Sequence, residues 1–315
     1  MQPNGKENLM QKIIFDTDIG VDDAFALAFA AKSLDILGIT TVFGNVPVSQ
    51  AVSNARLFSQ KIGLNVPIYR GSSRPLAHAP STPAWAVHGE DGLGGVFDNP
   101  WNGAADNAIE FIIRSVRAHP DALTLVAIGP LTNIAMAINQ APDIVPQIKQ
   151  LVIMGGAFGT QGHSGNVTPF AEFNIWKDPH AADQVLNAGL PVVLLPLDVT
   201  HQVLVSGDEI RALKHPVLEA ISRRYLQYSR EKEGTEGMPL HDTLTIAYLC
   251  HPEWFGVTAS PVRVVTEGIS RGQTLRQLHS AASYDDPFAG SCVQKLCLTV
   301  EAEKVKAHFL ATLQN

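Results

Sequence analysis

From residue 12 to about residue 200, short apolar runs alternate with stretches whose apolar residues recur every three to four positions. That alternation is expected when buried parallel strands are joined by crossover helices. The apolar runs predict strands over residues 12–15, 34–42, 123–128, 150–154 and 191–197, and the amphipathic stretches predict helices over residues 22–32, 49–62, 107–118, 131–140 and 179–188. Past residue 200 the pattern becomes helix-rich, with helices over 206–213, 216–232 and 241–250, then two strands and a closing helix from Val300 onward. The expected fold is α/β: a doubly wound, mostly parallel sheet flanked by helices, with a helix-rich C-terminal cap. No Gly/Ser or Pro-rich linker interrupts it, so residues 12–315 are expected to form a single domain behind a polar, disordered tail of residues 1–11.

Composition narrows the partners. With 23 basic and 30 acidic residues and a formal charge of −7, the chain lacks the cationic footprint that a nucleic-acid polymer demands. The N-terminal segment has no apolar signal-peptide core and no later run approaches a membrane span, so a cytoplasmic protein is expected. Cys250, Cys292 and Cys297 show no paired spacing, which fits reduced thiols rather than a disulfide framework or a zinc site.

In an open parallel sheet, ligands bind outside the carboxyl ends of the strands, so the residues that follow each strand carry the candidate chemistry. The first strand runs into Asp16-Thr17-Asp18-Ile19-Gly20-Val21-Asp22-Asp23, the second into Gly44-Asn45, the third into Gly129-Pro130-Leu131-Thr132-Asn133 and the fifth into Asp198-Val199-Thr200. Four aspartates within eight residues repel one another unless a cation, protons or separation relieves the crowding. Carboxylates without nearby Cys or paired His suit a hard divalent cation such as Ca2+ or Mg2+. The bland alternative is that Asp22 caps a helix, Asp23 favours its dipole, and Asp16 and Asp18 organise a turn.

Three further constellations stand apart in sequence. Asn166 to Asn174, containing Glu172-Phe173-Asn174, follows Gly155-Gly156 and offers hydrogen-bonding groups around an aromatic ring, as a sugar site requires. His241-Asp242 opens a predicted helix, and Val87-His88-Gly89-Glu90-Asp91-Gly92-Leu93-Gly94-Gly95 lies in a long Gly-rich loop. Taken singly, each also reads as a cap or a solvated loop.

With these motifs in that order, the chain resembles the inosine-uridine preferring nucleoside hydrolase family from about residue 12 to the C-terminus. The DTDxGxDD signature is present at Asp16 to Asp23, followed by Gly44-Asn45, His88-Gly89, Gly129 to Asn133, Met154-Gly155-Gly156, Glu172-Phe173-Asn174 and His241-Asp242. Two departures are Ile19, where the family usually has proline, and residues 273–277, where relatives tend to keep an aspartate and this chain has Arg276. The resemblance implies hydrolysis of the N-glycosidic bond of ribonucleosides, purine or pyrimidine. It implies Ca2+ held by Asp18, Asp23, the main-chain carbonyl of Ile128 and Asp242. It assigns Asp22, Asn45, Asn166, Glu172 and Asn174 to the ribose and Met154 and Phe173 to the pocket lining, with Asp16 supporting the loop from behind. A homodimer or homotetramer is expected on the same ground.

Breaking this bond builds positive charge on the sugar and negative charge on the base. Asp18 is the expected acceptor of the attacking water's proton, and His241 the expected donor to the leaving base, because imidazole ordinarily titrates near neutrality. His88, Tyr225 and Tyr228 are candidates for the base pocket, although core packing explains the tyrosines equally well. Two rivals remain. Phe15-Asp16-Thr17-Asp18 resembles the nucleophile motif of haloacid-dehalogenase phosphohydrolases, though without a convincing lysine partner. A non-catalytic protein binding nucleosides or Ca2+ would use the same pocket.

Overall fold

Strand β1 (Lys12–Thr17) sends Ile13 and Phe15 to one side and Ile14 to the other, and all three are fully buried. Only a strand covered by helices on both faces can do this. The computed structural model describes residues 10–99, 105–279 and 285–314; the expected tail lies outside the described residues up to position 9. Strands β2 (Asp35–Thr41), β3 (Ile68–Arg70), β4 (Thr124–Ala127), β5 (Gln150–Met154) and β6 (Val192–Leu195) join β1 in parallel in the order β3-β2-β1-β4-β5-β6. A two-stranded ribbon of β7 (Leu204–Val205) and β8 (Met238–Pro239) stands apart. Of the later strands β9 (Phe255–Val264), β10 (Thr274–Arg276) and β11 (Val293–Val300), β11 pairs with β6 in parallel, and β9 and β10 complete the sheet antiparallel.

Crossovers cover both faces. Helices α1 (Val21–Ser33) and α2 (Val48–Lys61) lie on the side of Ile13 and Phe15, whereas α4 (Ala108–Ala118), α5 (Thr132–Gln140) and α7 (Pro179–Leu186) cover the side of Ile14. Short helices α3 (Trp85–His88), α6 (Phe173–Lys177), α8 (Leu197–Thr200) and α9 (Gly207–Ala212) occupy connections. The C-terminal helices α10 (Pro216–Tyr228), α11 (Thr243–Cys250) and α12 (Ala302–Gln314) pack against α1 on the first face. There Phe309 of α12 meets Phe25 and Phe29 at ring separations of 6.2 and 5.6 Å. Among the described residues no helix is long and apolar enough to cross a membrane.

The predicted strands and helices of the first 200 residues are present, with ends shifted by at most two positions. Strand β3, which periodicity does not reveal, has three residues and a single buried side chain, Tyr69. Residues after Leu195 leave the sheet and turn into α8, and α10 gives way to a π-helical turn over Ser229–Glu233. The residues beyond 200 both cap one face and extend the sheet, with three strands rather than two.

The strand order positions the site. From β1 the chain steps outward through β2 and β3, then returns to β4 on the other flank of β1 and steps the opposite way. The loops after β1 and β4 therefore diverge and leave a crevice at the carboxyl ends of the central strands.

Candidate active site

The loop after β1 is held by its own carboxylates. Asp23, in the first turn of α1, accepts hydrogen bonds from Thr17 Oγ1 at 2.5 Å, Gly20 N at 2.8 Å and Asn45 Nδ2 at 3.0 Å. Asp18 accepts from Asn45 N at 2.6 Å through Oδ2. Asp22, Asp23 and, from the start of α11, Asp242 bring one oxygen each within 4.8 Å of one another, and all three are buried. Asp18 Oδ1 and Asp22 Oδ1 are buried without a hydrogen-bond partner. Burial first, and the neighbouring carboxylates next, hold Asp18, Asp22 and Asp242 well above the usual carboxylate range. A cluster of hard oxygen donors with orphaned oxygens fits a hard divalent cation, and the turn-and-cap alternative leaves those orphans unexplained. Of the expected ligands, Asp23 and Asp242 lie in the cluster with Asp22, and Asp18 adjoins it. The Ile128 carbonyl, at the end of β4, accepts from Asn174 Nδ2 at 3.0 Å, which leaves its second lone pair free.

Asp16 plays a different part. Its Oδ1 accepts from Thr40 Oγ1 at 2.5 Å and Asn133 Nδ2 at 2.7 Å, and Asn133 also donates to Thr41 O at 3.0 Å and accepts from Ser72 N at 2.9 Å. One buried amide thus ties together the ends of β1, β2 and β3 from the first turn of α5. Asp16 does not line the cavity described below, and its Oδ1 is occupied in holding the strand ends together.

Above the carboxylates opens a cavity of about 210 Å³. Every residue expected to contact substrate lines it: Asp22, Asn45, His88, Met154, Asn166, Glu172, Phe173, Asn174 and Tyr228, together with Ile128, His241 and Asp242. Asp18 and Asp23 lie beneath, at no measurable exposure. Glu172 is the N-cap of α6: Oε1 accepts from Asn174 N at 2.8 Å, and Oε2 from Gly156 N and Ile175 N, both at 3.0 Å. Burial nonetheless raises its pKa to about 7. Asn166 Oδ1 accepts from Phe173 N at 2.9 Å, so the loop after β5 folds back on α6. Lys177 lies 4.7 Å from the centre of the Phe173 ring and donates to Thr82 O at 2.8 Å.

Two histidines line this space. His88 Nδ1 accepts from Val21 N at 3.1 Å, which places its proton on Nε2, and burial lowers its pKa to about 3. Tyr225, edge-on to His88 at 5.5 Å, is buried yet lines the cavity, and Tyr228 is half-buried at its wall. His241 Nδ1 lies 2.7 Å from Thr200 Oγ1, and its ring meets His201, which in turn stacks on His163 at 4.1 Å. Burial, and then His201, push the His241 pKa well below the usual imidazole value. That direction disfavours the imidazolium form, against the expectation of a ring titrating near neutrality.

Several site residues escape sequence reasoning. Ala84 and Glu233 line the cavity, Glu233 reaching it from the π-helical turn, while Val87 and Val167 come with the loops of His88 and Asn166. Thr200 was visible only as part of a polar strand end. Asp198 beside it accepts from Phe158 N, Thr160 N and Thr160 Oγ1 and pins the loop after β5. Near the departure at Arg276, Thr274 of β10 accepts from the N–H of Ala157 and donates to its carbonyl.

Comparison with known proteins agrees with this geometry. The description of inosine-uridine preferring nucleoside hydrolases matches residues 13–307. The pyrimidine-specific ribonucleoside hydrolase RihB of Escherichia coli is 38% identical over 276 residues, covering 84% of this chain and 87% of that protein. The solved plant nucleoside hydrolase PpNRh1 superposes with a TM-score of 0.91 at 33% identity, over 96% of this chain and 99% of that one. A purine-preferring ribonucleoside hydrolase from Gardnerella vaginalis follows at 0.86 and 31%, over 96% and 98%. Fold and matches together define an enzyme, a nucleoside hydrolase. The chain belongs to the inosine-uridine preferring nucleoside hydrolase family.

Proposed function

We propose that the chain hydrolyses ribonucleosides to ribose and free base in a Ca2+-dependent reaction. The observation that carries this reading is the pair of buried, unpartnered carboxylate oxygens on Asp18 and Asp22 at the floor of a cavity lined by sugar-binding groups. Asp18, Asp23, Asp242 and the Ile128 carbonyl would hold the ion. Bound there, Ca2+ compensates the carboxylate charge and lowers the pKa of water in its shell.

The remaining work falls to the chain's own groups. Asp18, through its free Oδ1, accepts the proton of the water that attacks the anomeric carbon. Asp22, Asn45, Asn166, Glu172 and Asn174 supply acceptors and donors for the ribose hydroxyls, and Met154 and Phe173 give the sugar apolar surface. Loss of one hydroxyl leaves buried polar groups unpaired, so 2′-deoxyribonucleosides are poor substrates. At the far end, with Thr200 donating to Nδ1, His241 presents Nε2–H and hydrogen-bonds the departing base as negative charge builds on it. His88 and Tyr228 face the base, contacts that suit either a purine or a pyrimidine. The pyrimidine-specific and purine-preferring relatives support that breadth.

The test is ribose release from inosine, uridine, cytidine, adenosine, guanosine and 2′-deoxyinosine by Ca2+-loaded and chelator-stripped enzyme. Release from ribonucleosides that disappears on chelation is the expected result. Undiminished release after complete removal of divalent ions would refute the Ca2+ assignment, and no release from any nucleoside would refute the reaction.

A further inference from the structure

Away from the substrate cavity, three segments distant in sequence bring together His78, His180 and Glu267. His78 lies on the loop after β3, His180 in the first turn of α7, and Glu267 in the turn between β9 and β10. One ligand atom from each lies within 4.8 Å of the others. Glu267 Oε1 is 3.7 Å from His78 Nε2 and 3.9 Å from His180 Nε2, and the two rings are 4.8 Å apart. None of the three lines the nucleoside cavity.

We propose that these residues form a second cation site, for a borderline divalent metal such as Zn2+, unlike the all-oxygen cluster below the substrate. Two imidazoles and a carboxylate are the donor set that Zn2+ favours and Ca2+ does not. Tetrahedral bonds of ~2.0–2.1 Å to nitrogen and oxygen place ligand atoms about 3.3 Å apart. The observed separations of 3.7 and 3.9 Å need to close by only about half an ångström, and Glu267, 72% exposed, is free to move inward. His78 Nε2 now lies 3.1 Å from Thr266 O; on metal binding that contact is given up and the proton resides on Nδ1. His180 Nδ1 is buried and without a protein partner, so with Nε2 on the metal its Nδ1–H would need a water as acceptor. Three protein ligands leave a fourth position to water.

The site would brace the substrate pocket from outside. The loop bearing His78 also meets α7 and the residue before it, where Asp178 Oδ2 accepts from Leu76 N at 2.9 Å and Thr132 Oγ1 at 2.7 Å. Farther along, its Thr82 carbonyl accepts from Lys177, and Ala84 enters the cavity wall just before His88. A metal joining His78 to His180 and Glu267 fastens this loop to α7 and the β9–β10 turn.

The experiment uses the full chain, stripped of metals and then saturated with Ca2+. Co2+ is titrated in and followed by its visible d–d absorption, and Zn2+ by equilibrium dialysis. One Co2+ per chain with nitrogen-ligand spectra is expected for the wild type, with affinity reduced by at least roughly tenfold in both His180→Ala and Glu267→Gln, the loss that even an outer partner of a ligand can cause. Ca2+-supported ribose release without Zn2+ is expected to stay unchanged in both variants, which reports that they are folded. Absence of Co2+ binding in the wild type, or equal affinity in the folded variants, overturns the proposal.

Discussion

Replacing Thr200 by valine removes one hydroxyl and almost no volume, and it isolates the role of the contact to His241. In the native protein, Thr200 Oγ1 and His241 Nδ1 are 2.7 Å apart and both residues are buried. In Thr200→Val, Nδ1 is left buried without a partner, at a cost of roughly 1–3 kcal/mol. Spread over an unfolding entropy of about 2.1 cal/mol/K per residue, that cost lowers Tm by about 2–5 °C for 315 residues. The imidazole also loses the group that keeps its proton on Nε2. If the whole cost falls on leaving-group assistance, kcat drops by a factor of about 5–150. The assay compares inosine or uridine with a p-nitrophenyl riboside, whose leaving group needs no help. Steady-state rates of the variant are expected to fall on the nucleoside and hardly at all on the activated riboside. Equal losses on both substrates, or no loss on the nucleoside, would refute the assignment of His241 to the leaving base.

Gly44→Ala places a Cβ against the Asp18 carboxylate, so Ca2+ affinity measured by titration calorimetry is expected to fall at least about tenfold; unchanged affinity removes Asp18 from the site. Asn133→Ala deletes bonds to Asp16, Thr41 and Ser72. With the charged one worth roughly 1.5–3 kcal/mol and the others about 1 each, the expected loss is about 3–5 kcal/mol, or roughly 5–8 °C in Tm. A shift under 2 °C contradicts that account. Stability also depends on pH. Burial raises Glu172 from 4.5 to about 7 and Asp16 from 3.8 to about 7. Groups whose pKa is higher folded than unfolded favour the fold fully below about 4 and lose that contribution as pH rises to about 7. The Tm of the chelated enzyme is therefore expected to fall between pH 5 and pH 8, and a Tm that stays constant or rises over that window contradicts it.

The alternation of strands and helices over the first 200 residues was legible in the sequence, as was the aspartate-rich loop after β1. Both are local: periodicity records which face is buried, and four carboxylates within eight residues announce their crowding without any tertiary information. Members of several scattered polar motifs line one cavity, because loops at the carboxyl ends of parallel strands converge at the point where the strand order reverses. The rest depended on partners that chain distance hides. Asn133 reaches Asp16 across 117 residues and Thr200 reaches His241 across 41, and neither pairing is encoded in local spacing. Strand β3 is too short to show a period, and the π-helical turn that delivers Glu233 looks like ordinary helix in sequence. The lowered pKa of His241 comes from burial and from His201 beside it, a property of packing and not of residue type. Sequence alone determined which groups were available for chemistry. Their proximity, their partners and their charge states belonged to the tertiary structure, because electrostatic and hydrogen-bond energies depend on distance in space and on desolvation.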